Sequence, residues 1–256
     1  MDILYIVGKG LSSCNNNELR YSLRSIEKHG MNVDRVFVAG YCPDWLSNNV
    51  VKVPFEQPYP INMEYSDVME KLACKHANII STILYAIDNT DIGDEFLVSM
   101  DDHFYIRDVD FNNYPYYVKG EGELKELPVE GESDYARYMA STRRFLEERG
   151  LSVYYLVPHR NMHCSRRIFK ECRNTINTCI KNKVPIEYLC YLLNYQYTKY
   201  GFELIPTKDV KVKNGFEWYK LNSEYTEVFS TIDYTPYSRL DDMIGSLYKN
   251  KSKYEV

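Results

Sequence analysis

Several features are missing from this chain, and each absence closes a class of reading. No apolar run approaches the roughly 20 residues that a membrane-spanning helix needs. No basic leader precedes the strand-like opening Met1-Asp2-Ile3-Leu4-Tyr5. The expectation is a cytoplasmic protein without a membrane span. There is no CxxC pair among the seven cysteines. Their odd number and irregular spacing point to reduced thiols, with Cys179 and Cys190 as core residues, and argue against zinc held by thiolates. Gly8-Lys9-Gly10 lacks the longer spacing and GK[ST] ending of a Walker loop and the third glycine of a dinucleotide fingerprint, so a kinase or dehydrogenase has little support. Neither an internal repeat nor a low-complexity linker interrupts residues 1–256, and one continuous domain with an elaborated second half is expected.

What is present is an ordinary globular composition, 45% hydrophobic and 26% charged over 256 residues, enough to bury a sizeable core. The 25 tyrosines are the unusual number. Tyrosine joins an apolar body to a polar tip, which suits a surface that contacts sugars, bases or partners; compositional drift accounts for the excess equally well. The net charge of −5 conceals an uneven distribution. From Ala86 to Asp134 there are 14 acids against 3 bases, and from Ala136 to Arg173 there are 9 bases against 3 acids. Either the two segments pair with each other, or they build a site that needs carboxylates for a cation and arginines for phosphate.

Along the chain, "DILYIV" (Asp2–Val7) reads as a buried strand ended by glycines. A helix follows, capped by Asn17, with a Leu19, Leu23, Ile26 stripe and a stop at Gly30. "DRVFVAG" and "VVKVPF" are the second and third strands. Glu64–Asn89 reads as a long helix whose Val68, Leu72, Ile79, Ile83 and Ile87 form one buried face, and "EFLVSM" is the fourth strand. This order predicts an α/β/α sandwich with a mostly parallel central sheet. Beyond it, "YYVKGEGELKELPV" reads as a hairpin, "SDYARYMASTRRFLEERG" as a helix capped by Ser133 or Asp134, and "SVYYLVPH" as a strand. Two helices, "SRRIFKECRNTINTCIKN" and "IEYLCYLLNYQYTKYG", follow. Then come a strand "FELIP", a hairpin about Asn214-Gly215 and a terminal helix that frays.

The fourth strand ends in Asp101 and Asp102. Adjacent carboxylates at a strand end either mark a solvated turn or meet a cation, since two half-buried like charges are otherwise costly. In open α/β sheets the carboxyl ends of strands are where ligands bind. Hard oxygen ligands at an incomplete site suit Mg²⁺ or Mn²⁺ shared with a substrate diphosphate. His159, on a loop after a strand and a proline, can complete a metal shell, shuttle a proton or simply satisfy backbone groups. His29 reads as a helix-end residue and His76 as a surface one. Arg20 and Arg24 at i,i+4 form either a phosphate clamp or a solvated face paired with Glu27 or Glu18. The cluster Arg137, Arg143, Arg144, Arg160, Arg166 and Arg167 is dense enough to receive an anionic acceptor, a nucleic-acid backbone included.

Three blocks carry a resemblance. "DILYIVGKGLS", "NELRYSLRSIEKHGMNVDRVFVAGYCPDWLS" and "DEFLVSMDDHFYIRDVD" resemble, in order, the characteristic blocks of the Stealth family. Its members are sugar-phosphate transferases of capsular polysaccharide synthesis, related to the animal lysosomal-enzyme phosphotransferase. The second block is the most specific, and "PHRNMHCSRRIFKE" is similar to a later histidine-containing block. The resemblance covers about half of the chain, mostly residues 1–110. It implies a GT-A-like nucleotide-sugar fold, with residues 1–110 as the nucleotide-sugar half and 111–256 as the acceptor half. It sets Asp101 and Asp102 where the family holds its divalent metal, Arg20 on the family's arginine and His159 on its later histidine. The family's first block carries an aspartate near Gly8-Lys9 that is absent here, and His103 replaces an apolar residue or acid.

The expected function is a metal-dependent glycosyltransferase that uses a nucleotide-sugar donor, with a UDP-sugar first and Mn²⁺ or Mg²⁺ as cofactor. Asp101, Asp102 and His159 would carry metal and catalysis. Gly8, Lys9, Arg20 and Asp101 would hold the donor; Arg143, Arg144, His163 and Arg166 would receive a carbohydrate or anionic acceptor. Three alternatives stand beside it: a Stealth-type sugar-phosphate transferase, a glycosyltransferase acting on hydroxylated bases of phage DNA, and a degenerate module that binds sugar nucleotides or glycans without turnover.

Overall fold

Asp2–Val7 (β1) is buried at every position, as an apolar run must be when both faces of its sheet are covered. The structure is a computed structural model that describes residues 1–8, 16–59, 64–212, 226–231 and 239–256. After β1 come α1 (Asn17–His29), a two-residue β2 (Gly30–Met31), β3 (Val36–Gly40), β4 (Val50–Pro54), α2 (Val68–Asn89) and β5 (Glu95–Met100). Three short strands follow, β6 (His103–Tyr105), β7 (Val109–Asp110) and β8 (Tyr116–Lys119), and then α3 (Asp134–Glu147). β9 (Met162–Ser165), α4 (Arg166–Lys181), α5 (Tyr188–Tyr200), β10 (Leu204–Thr207), β11 (Lys211–Val212), β12 (Val228–Thr231) and α6 (Arg239–Leu247) complete the order.

The central sheet runs β4-β3-β1-β5-β9. Its first four strands are parallel and β9 is antiparallel to β5. Among the described residues the chain is thus a mixed α/β protein with a mostly parallel central sheet and six helices. Alternate strand residues face opposite sides. Leu4, Ile6, Phe37, Phe96 and Val98 pack with α2, α4 and α5, while Ile3, Tyr5, Val36, Val38 and Leu97 pack with Leu19, Leu23 and Ile26 of α1. Gly40 closes β3 at φ +97, and a Cβ there would collide with the carbonyl oxygen of Val7; glycine is required for the close approach of β1 and β3 at this edge.

Several expectations are corrected. The long helix starts at Val68, where the Asp67 side chain accepts the Glu70 amide. Its buried face is Ala73, Ala77, Ile80, Ile83, Leu84 and Ile87, with Val68 exposed; the two alanines let the helix approach the sheet closely. Asn17 is the first helical residue of α1, and Asn16, in the left-handed region, takes the cap position. For α3 the cap is Ser133. "SVYYLVPH" is no regular strand. Its backbone bonds irregularly to Lys125, Leu127 and Lys119, and the sheet position goes to Met162–Ser165 beyond Pro158. β8 does not fold back as a hairpin but pairs in parallel with β10. The hairpin turn proposed at Asn214-Gly215 lies outside the described residues, and β11 pairs in parallel with β12.

The tyrosines are largely structural. Tyr5, Tyr105, Tyr138 and Tyr188 are among the largest fully buried side chains, and a relay of ring contacts links Tyr105, Phe111, Tyr114, His163, Tyr116 and Phe202.

The chain end does not fray. Tyr248 and Tyr254 are buried, and the Val256 amide donates to the Trp45 carbonyl at 2.9 Å. Glu255 accepts two hydrogen bonds from Arg24, at 2.7 and 2.6 Å, and two from Ser252. Burial alone would raise the Glu255 carboxyl, but Arg24 and Ser252 outweigh it and hold it below the usual carboxylate range. Its contribution is therefore complete above a pH of about 4.3 and is lost as pH falls through the lower folded value. E255Q is expected to lower the urea unfolding free energy by about 2 kcal/mol at neutral pH, with variant and parent converging in acid. An unchanged urea midpoint would refute a structural role for this pair.

Candidate functional site

β1 sends the chain through α1 to β3 and β4 on one side, whereas α2 returns it across the other face to β5. The carboxyl ends of β1 and β5 therefore lie side by side, at the edge where open α/β sheets bind ligands, and α1 packs against β6 below them. Ile6 pairs with Met100, which sets Val7-Gly8 beside Asp101. Asp101 and Asp102 form the two-residue turn between β5 and β6. A Cβ on Gly8 would meet only the Gln57 side chain at 3.9 Å, so glycine is not sterically required there. Lys9 lies outside the described residues.

Both carboxylates are half-buried. Burial first, and then the charges of Asp102 and Glu18, push the Asp101 carboxyl up to about 8. Asp102 Oδ1 stands 3.9 Å from Nε2 of His103. His103 is 1% exposed, and burial depresses its pKa although Asp102 favours the cation; its Nδ1 has no hydrogen-bond partner among the described residues. His103 is thus a neutral imidazole walled into β6, next to Ser230 of β12 in register.

His159 is brought to the same region. Its backbone amide donates to Asp209 Oδ1 at 2.9 Å and its Nε2 lies 4.0 Å from Asp209 Oδ2. Burial takes its pKa down to about 4 against the pull of Asp209, with Lys211 and His103 adding to the fall. It is therefore neutral at pH 7 and able to accept a proton or a metal. Asp209, Lys211 and Lys119 complete this wall, and Lys119 Nζ stands 3.4 Å from Asp209 Oδ2. None of the three carries a sequence signal. Lys119 falls in the hairpin read at "YYVKGEGELKELPV", Asp209 follows the strand "FELIP", and Lys211 opens the hairpin read about Asn214-Gly215; the parallel β8–β10 pairing joins the first two segments.

The other sequence candidates are placed elsewhere. Arg20 and Arg24 do not pair with Glu27 or Glu18: Arg20 stacks 4.5 Å over Trp45 with its Nε 3.7 Å from Glu255, and Arg24 grips the same carboxylate. His163 sits in β9, in register with Leu97 in the middle of β5, its Nε2 2.6 Å from the Tyr114 carbonyl and its ring stacked on Tyr116. Arg166 donates to the carbonyls of Thr90 and Ile92, at the amino end of β5 and so the opposite edge of the sheet from Asp101. Arg143 is held by Glu126 and Glu147, and Arg144 is exposed on α3. Arg137 and Arg167 pair within their own helices. Arg160 is buried over Tyr117, 3.4 Å from Glu227. The arginines dense in sequence fall into separate groups: Arg137, Arg143 and Arg144 lie on α3, Arg166, Arg167 and Arg173 line one cavity at the amino end of β5, and Arg160 is near enough to the aspartate turn for its charge to act on His103. His76, expected at the surface, meets the buried Glu187 at 3.1 Å, and His29 meets Asp108 at 3.0 Å.

Among the described residues no three His, Cys, Asp or Glu side chains are gathered around one point as a metal cluster. Also among them, no helix is long and apolar enough to cross a membrane. Compared with known proteins, the chain matches no protein-family model and shows no significant match to a curated protein.

The strained charge at Asp101 has a measurable consequence. Its folded value of about 8 lies above the roughly 3.9 of an unfolded aspartate. The stability it permits is complete below pH 4 and declines as pH rises towards 8. D101N, measured in chelator, is expected to be more stable than the parent at pH 8 by about 1–2 kcal/mol and equal to it at pH 4. A variant no more stable at pH 8 would show that the turn bears its two charges without cost.

Proposed function

We propose that the protein is a metal-dependent glycosyltransferase on a GT-A-like fold, moving a sugar from a nucleotide-sugar donor, a UDP-sugar first, to an acceptor hydroxyl. The observation that carries this reading is the Asp101-Asp102 turn at the carboxyl end of β5, beside the carboxyl end of β1. Asp101, whose carboxyl burial drives towards protonation, and the adjacent Asp102 are a pair of oxygen donors beside which a divalent cation would favour the charged form of Asp101. Waters and substrate oxygens would complete the octahedral shell preferred by Mg²⁺ and Mn²⁺. When bound, such an ion neutralises charge developing on a leaving diphosphate.

The chain's own groups have definite tasks in this reading. Asp101 and Asp102 hold the ion. His159, kept neutral by burial and fixed by its amide bond to Asp209, accepts the proton of the acceptor hydroxyl or joins the metal shell. Arg20, stacked on Trp45 beside Glu255, has no task in this reading. A carbohydrate acceptor is favoured over a nucleic acid, because Arg137, Arg143, Arg167 and Arg173 are each paired with a neighbouring carboxylate, which reduces the positive charge they can offer a phosphate backbone.

Incubation with UDP-, GDP- and ADP-sugars and Mn²⁺ is expected to release nucleoside diphosphate slowly without an acceptor. D102A is expected to lower that release by about 100-fold. Nucleoside monophosphate as the product would move the assignment to sugar-phosphate transfer. No turnover with any donor would leave a sugar-nucleotide binding module.

A further inference from the structure

Three lysines that no sequence pattern groups come within electrostatic reach of one another from three different elements, and two of them act on the aspartate turn: Lys75 on Asp101 and Lys211 on Asp102. Lys211 opens β11 in register with Ser230 of β12, which is itself in register with His103 of β6. Residues directly opposite in neighbouring strands project from one face, so Lys211, Ser230 and His103 form a row across the small sheet. At about 4.8 Å per strand the row spans about 10 Å and ends at the residue after Asp102. Lys119 closes β8 and lies 4.8 Å over the Tyr155 ring, reaching Asp209 at 3.4 Å. Lys75, exposed on α2, acts on both Asp101 and Lys211.

The electrostatics of this group are unfinished. Lys211 is half-buried, and no carboxylate among the described residues makes an ion pair with it. Burial first, then Lys119 and Lys75, disfavour its ammonium form, while Asp209 and Asp102 support it. Beside it, Ser230 Oγ and His103 Nδ1 are buried without hydrogen-bond partners among the described residues, as is Asp209 Oδ2 apart from its ion pair. Asp101, Asp102, Asp209 and Glu18 together offset the three ammonium groups. With a divalent cation on the aspartate turn, the balance becomes positive. Ammonium groups next to a cation, backed by unused hydroxyl and imidazole groups, are the recognition chemistry of phosphate.

We infer that Lys211 and Lys119, with Lys75 at the mouth, form a phosphate-binding cradle beside the Asp101-Asp102 turn, and that the donor's diphosphate is its ligand. The identity of the ligand rests on the transferase reading; the cradle itself rests on the convergence of the lysines. Lys119 also pairs with Asp209, so its replacement disturbs a second group; Lys211 is the decisive position.

The test is calorimetric titration of the full chain with uridine diphosphate and with inorganic pyrophosphate, each in Mn²⁺ and in chelator. K211M is expected to weaken both ligands by about tenfold while keeping the parent's melting temperature, and K119R is expected to retain binding that K119M loses. Weaker pyrophosphate binding with unchanged uridine diphosphate binding would keep the phosphate cradle and overturn the donor as its source. Unchanged affinity for both probes in folded K211M and K119M would overturn the cradle. Donor turnover with an unchanged KM in those variants would leave the transferase reading standing without it. Loss of pyrophosphate binding in a protein that turns over no donor would do the reverse.

Discussion

Everything at the carboxyl edge depends on the parallel pairing of β1 with β3 on one side and β5 on the other. That arrangement needs a crossover on each face of the sheet, which α1 and α2 supply. Burying both faces is what holds it, since each fully enclosed Ile, Leu or Phe contributes about 1.5–3 kcal/mol and β1 alone encloses Ile3, Leu4, Tyr5 and Val7 completely. The site's position is a by-product of this burial: two neighbouring strands end side by side, and α1 and β6 then pack together on one face of the sheet.

At that edge of the sheet the protein places an unfavourable set of charges. Asp101 and Asp102 lie next to each other, Glu18 adds a third negative charge, and two imidazoles nearby are held neutral by burial. A site stable for its own sake would satisfy His103 Nδ1, Ser230 Oγ and the amide of Asn161, all buried without partners among the described residues. Proteins accept such costs where a ligand supplies the missing partners. The contrast with the opposite edge is direct. There Arg166 is fully engaged with backbone carbonyls, and Arg173 forms a bidentate pair with Asp88.

The second half of the chain builds the wall rather than a separate body. It contributes β9 to the central sheet, and Phe169, Ile176 and Leu189 to the same core as Leu4 and Phe96. Its buried tyrosines serve as large packing groups with a polar tip that reaches a backbone carbonyl, as Tyr248 does with Tyr105 and Tyr138 with Ile186. The final residues return to α1, where Glu255 takes up Arg24.

The sequence by itself determined the first half closely. Periodicity and β-branched runs place β1, α1, β3, β4 and β5, because each element is long enough to declare its period and is joined to the next by glycine, proline or asparagine. The aspartate turn was legible for the same reason, as a charged pair at the end of an apolar run. Only the tertiary structure decided the rest. The strand "MHCS" and the irregular path of "SVYYLVPH" depend on which segment reaches the free edge of β5, and that is settled by non-local pairing rather than propensity. Asp209, Lys119 and Lys211 are ordinary surface residues in one dimension, brought beside Asp102 by parallel β8–β10 and β11–β12 pairings. The arginines, crowded along the sequence, divide in space between α3, the surroundings of Glu227, and a cavity that Arg166, Arg167 and Arg173 share at the amino end of β5. Charge density along a chain says how many groups there are; the packing of its elements decides which of them meet.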